Sequence, residues 1–101
     1  PDILQVSRPT SNTHTVGPDT STEVVPANPQ RKFLQIINST DGVDAYISFG
    51  TAAIALKGIL LRGSSSNPGV FVMNCRDFLY NGAINGISVT SAAVLAWLEI
   101  T

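Results

Sequence analysis

The chain has 101 residues, enough for one domain with a modest core that needs no staple. Charged residues make up only 13 %, about half the usual ~25 %, and six Lys and Arg against seven Asp and Glu leave a net charge of −1. The basic residues are scattered, which argues against direct nucleic-acid binding; the lone Cys75 cannot form an intrachain disulfide and reads as a small buried hydrophobe; and no apolar run approaches a membrane span.

Residues 1–23 differ from the rest. They hold eight Ser and Thr and few large apolar residues, apart from the strand-like patch Ile3-Leu4-Gln5-Val6. The expectation is an extended N-terminal arm over 1–23 ahead of a β-sandwich domain over 24–101. Such an apolar patch on a polar tether either docks on a neighbour or forms a first strand of the domain's own sandwich. The start, PDILQVSRPT, lacks the pattern of a secretory signal, and Pro1 reads as the residue left after removal of an initiator Met, so synthesis in a cytoplasm is expected.

Thr20–Val25 is β-prone. Pro26 and Pro29 then bracket Ala27-Asn28 and enforce an extended or turning entry. Two strand-like runs follow, Lys32–Asn38 and Val43–Phe49, flanking Asp41-Gly42, and together they read as a β-hairpin. In the second run Val43, Ala45, Ile47 and Phe49 fall on one face and Asp44, Tyr46 and Ser48 on the other. Gly50–Leu56 reads as a loop or irregular strand, Gly58–Arg62 as a short strand, and Gly63–Gly69 as the clearest loop. Val70–Cys75 reads as a well-buried strand because both its faces are apolar. Asn81-Gly82 and Asn85-Gly86 are turn signals. Ala93–Ile100 closes the chain as a strand, with Val94, Ala96, Leu98 and Ile100 on one face and Leu95, Trp97 and Glu99 on the other. Seven to nine short strands at this spacing predict an all-β domain, a small sandwich or barrel.

Catalytic signals are absent. His14 is the only histidine and sits in the polar segment, a poor place to hold a general base. No acid/base motif, phosphate loop or calcium loop is present, and one His with one Cys makes a zinc site improbable. The chain therefore reads as a non-enzyme without cofactor or metal. Trp97, Tyr46 and Tyr80 could form a sugar-stacking platform, although isolated aromatics in strands more often pack inward. A surface poor in charge fits either a protein covered by partners or one made polar by Ser, Thr and Asn.

The stretch from Val24 to Leu61 carries a more specific pattern: Val25-Pro26-Ala27-Asn28-Pro29-Gln30-Arg31, then Leu34, Ile36 and Asn38, then Ala45-Tyr46-Ile47-Ser48-Phe49-Gly50. It resembles small virion accessory proteins of tailed bacteriophages, of the capsid decoration or cement type, and the likeness continues through Gly63–Tyr80 and Gly82–Val89. Phe33 stands where the pattern usually has Tyr. The resemblance covers about residues 24 to 100 and leaves 1–23 outside.

The resemblance implies a small β-sandwich or jelly-roll unit with no catalytic content, forming a homo-oligomer, a trimer rather than a dimer, that binds the major capsid protein on the capsid exterior. Ile3, Leu4, Val6 and Arg8 are then the candidate partner-binding residues, docking on the capsid or on a sister subunit. The alternative is a head-fibre, neck or tail-tip module that binds a host glycan or another virion protein.

Overall fold

A computed structural model of the chain describes residues 8–74 and 79–101. Its described residues form eight strands: β1 (Pro9–Val16), β2 (Thr22–Val25), β3 (Phe33–Asn38), β4 (Ala45–Phe49), β5 (Ile59–Leu61), β6 (Val70–Asn74), β7 (Ile84–Ser88) and β8 (Ala93–Ile100). They build two four-stranded antiparallel sheets, here called A, in the order β1-β8-β3-β6, and B, in the order β2-β7-β4-β5. The pairs β1·β8, β2·β7, β3·β6 and β4·β5 are those of one long folded-back ribbon, and successive pairs fall in alternate sheets. The result is an all-β, jelly-roll-like sandwich.

This winding corrects the expected hairpin. The strands on either side of Asp41-Gly42 form where the alternation predicts, but β3 lies in sheet A and β4 in sheet B. The turn is an arch between layers. Its anchor is Asn38, almost fully buried, whose Nδ2 donates to the carbonyls of Val43 (2.8 Å) and Leu61 (2.9 Å) while its Oδ1 accepts from the Thr40 N–H. The backbone bonds of β3 go to β6 and β8 and those of β4 to β5 and β7, while the Asn38 side chain bridges the two sheets at the turn. The sequential hairpin of the ribbon is β4–β5.

The core lies between the sheets. Leu34, Ile36, Met73, Leu95 and Trp97 from sheet A meet Val25, Ala45, Ile47, Leu61 and Ile84 from sheet B. Each large aliphatic side chain taken fully out of water contributes roughly 1.5–3 kcal/mol. β8 follows the expected alternation, with Ala93, Leu95, Trp97 and Glu99 inward.

Three further expectations are corrected. Asn85-Gly86 is no turn but the middle of β7; a Cβ on Gly86 would stand 2.7 Å from Val24 Cγ2 and 3.1 Å from Val16 Cγ1, so the glycine serves close packing between layers. β6 is an edge strand, not a buried one, and Val70 and Val72 are about half exposed. The segment 9–16, expected within an arm, is instead β1, paired with β8 along all eight residues. The sandwich therefore takes in Pro9–Val16, ahead of residue 24, because a Thr-rich run finds a complete partner in the last strand. Ile3, Leu4, Val6 and Cys75 lie outside the described residues.

Candidate interaction surface

The most elaborate polar arrangement in the molecule is built by the Val25–Arg31 segment, and it faces inward. The prolines hold the β2–β3 connection in a shape that turns Arg31 beneath the sandwich end, where its side chain is fully buried. Arg31 Nε donates to Glu99 Oε2 at 2.6 Å, one Nη to the carbonyls of Tyr80 (2.6 Å) and Gly82 (3.2 Å), and the other to the carbonyl of Pro26 (2.7 Å). Asn28 Nδ2 donates to the second Glu99 oxygen at 3.0 Å, and its backbone N–H to the Asn81 carbonyl at 2.8 Å. One guanidinium thus ties the β2–β3 connection, the approach to β7 and the last strand together. Its planar fork suits the purpose, since its five N–H groups are spread over three nitrogens, whereas the three of a lysine radiate from a single atom.

The other inward-facing polar groups are also matched. Among the described residues no buried side-chain nitrogen or oxygen lacks a hydrogen-bond partner. His14 Nε2 lies 3.0 Å from Thr22 Oγ1, linking the two sheets. Nowhere among these residues do three His, Cys, Asp or Glu side chains converge as a metal would require.

The aromatics form no common platform. Trp97 is in the core at 8 % exposure. Tyr80 stacks on Phe49, centroids 5.1 Å apart, and Phe49 in turn meets Phe71 at 5.5 Å. Tyr46 alone lies on the outside of sheet B, opposite Leu60 and Ile87.

The outer face of sheet A is left without a role inside the fold. The ladder registers place its side chains in rows: Pro9, Ile100, Phe33 and Asn74; Ser11, Leu98, Gln35 and Val72; Thr13, Ala96, Ile37 and Val70; Thr15 and Val94. None is ionisable. The middle of the face is a shallow depression over Gln35, Ile37, Ala96 and Leu98. A sheet exposed on one side ordinarily alternates apolar inside with polar outside; here the outside is apolar over three strands. Of the candidate residues named from sequence, only Arg8 falls among the described ones. It is exposed and its backbone pairs with Thr101, both bonds 3.1 Å, at the end of this same sheet.

A second apolar feature caps the β4–β5 hairpin. The Lys57 N–H bonds the Ile54 carbonyl at 3.1 Å, closing a turn in which Leu56 has φ of 68°. Positive φ at the third position is the mark of a type II turn, a place usually left to Gly or Asn. The Leu56 side chain is 73 % exposed and that of Ile54 56 %.

The outer-face residues could have been found from the sequence, because Val94, Ala96, Leu98 and Ile100 were already separable from the Leu95 side of their strand. What the sequence did not carry was that no other described strand packs over them. No family model matches the chain, and neither a curated protein nor a solved structure similar to it was found.

Proposed function

We propose that the protein is a structural component of a tailed-phage particle that decorates and cements the capsid exterior, self-associating and binding the major capsid protein without catalysis. The observation that carries this reading is the uncharged, largely apolar outer face of sheet A, a contiguous surface of the kind that marks protein contact sites. The resemblance in Val25–Arg31 and Ala45–Gly50 supplies the kind of partner. The fold by itself does not, since sandwiches of this type serve many functions. Rigidity supports the same reading: a clamp on a pressurised shell must resist deformation, and the Arg31 node locks the connections at one end of the sandwich.

The glycan-binding alternative loses its main support, because of its three aromatics Trp97 is buried and Tyr80 is stacked on Phe49.

The test is a cryo-EM reconstruction of capsids incubated with the purified protein. Ordered density at capsomer junctions is the expected result; bare capsids from an otherwise folded protein reject the proposal. Asp substituted at both Ile3 and Leu4 is expected to abolish decoration with the melting temperature of the sandwich unchanged, and undiminished occupancy would remove these residues from the contact.

A further inference from the structure

Among the described residues the sandwich has four edge strands, and they are not alike. β5 covers three residues between Lys57 and Arg62; β2 covers four, is irregular between Glu23 and Val25 and exposes Glu23; β6 covers five. Short length, bulges and charged side chains are the means by which sheets keep their edges from pairing. β6 is likewise regular and uncharged but of ordinary length, whereas β1 has none of these protections and is the longest of the four edges. It runs eight residues in unbroken register with β8, contains no Asp, Glu, Lys or Arg, and has no proline after its first position.

Its hydrogen-bonding phase follows from its end. Arg8 and Thr101 exchange both backbone bonds. Such pairs alternate along an antiparallel ladder, so Thr10, Asn12, His14 and Val16 direct their backbone groups at β8, and Ser11, Thr13 and Thr15 direct theirs away from the sheet. The outward N–H of Thr13 donates to Asn12 Oδ1 at 2.8 Å, a local substitute for an absent strand.

We infer that this edge pairs antiparallel with β1 of a second copy, about a two-fold axis at Thr13, joining two four-stranded A sheets into one continuous sheet. A two-fold contact sets a patch against itself, so the patch must tolerate its own image. Centred on Thr13, the register sets Thr13 against Thr13 and Ser11 against Thr15, hydroxyl-bearing pairs that suit cross-strand neighbours, and all three outward N–H groups find carbonyls. No like charges meet. At each end of the pair the exposed Arg8 of one copy lies toward the end that carries the exposed Asp19 of the other. The joined sheet keeps an uncharged outer face of doubled width. This pairing stands independently of the capsid reading and replaces the threefold arrangement that the resemblance implies.

Sedimentation velocity on the full chain tests it, with Thr13→Pro and Thr13→Lys as variants. Proline at 13 removes an N–H that β8 does not use, and lysine sets two like charges face to face on the axis. The wild type is expected to be a dimer, and each variant to weaken association by about tenfold or more with far-UV circular dichroism and melting temperature unchanged. If the proline variant misfolds, the lysine variant decides, because Thr13 is exposed. A wild type that is monomeric at all concentrations, a trimer, or a dimer that a folded variant leaves intact overturns the inference.

Discussion

Glu99 and Leu98 are neighbours on β8 and illustrate two regions that could hardly differ more. Glu99 points inward to Arg31 and Asn28, in a network where each buried side-chain polar atom has its partner. Leu98 points outward onto a face with no ionisable group and, among the described residues, no covering layer. The region richest in recognisable motif is internal scaffolding, while the region that invites contact has no motif at all. A pattern such as Val25–Arg31 can therefore report what an architecture requires, and leave the open outer face to residues that no short pattern describes.

The comparison is broken most severely at Arg31. Arg31→Ala leaves Glu99 buried without its cation and strips donors from the carbonyls of Pro26, Tyr80 and Gly82. The expected loss is about 4 kcal/mol, a large share of the stability of a domain of this size, read from urea denaturation. The double variant Arg31→Met with Glu99→Leu removes both charges, and is expected to recover about half of that loss, since the three carbonyls stay unpaired. A single variant costing under about 1 kcal/mol would reduce the node to an ornament of the surface. Asn38→Ala comes next. It orphans the Val43 and Leu61 carbonyls at the arch between the sheets and is expected to cost about 3 kcal/mol, with faster amide exchange in β5 than in β8.

These two sites also show what the sequence could tell. The strands were legible because alternation is local: β4 and β8 have the faces their residues predict. Even Arg31–Glu99 left a trace, since a carboxylate on the same face as Leu95 and Trp97 must find a buried partner. Pairing was not legible. Asp41-Gly42 specifies a reversal but not the sheet to which the chain returns, and that choice rests on Asn38 meeting Leu61, 23 residues later. Asn85-Gly86 carries the same turn signal and forms a strand, because Val16 and Val24 arrive from far away in the chain and demand a residue without a side chain. The apolar outer face misled for the same reason: Val70 and Val72 read as core, and only the layer count shows them exposed.

The smallest expected effect is at Leu56, and it separates scaffold from contact surface most cleanly. An L-residue at positive φ carries a cost of roughly 1–2 kcal/mol, and a side chain 73 % exposed returns little of it through burial. Leu56→Gly relieves the backbone but loosens the unfolded chain by roughly 0.4–1 kcal/mol. The net expectation is a gain of about 0.5 kcal/mol, a rise of roughly 2–4 °C in melting temperature for a domain of this size. Scaffold positions such as Arg31 lose stability when changed, whereas a position held against its own backbone preference gains it. A clear fall in melting temperature would mean that Leu56 packs as part of the fold and would move the β4–β5 tip to the same side of the comparison as Glu99.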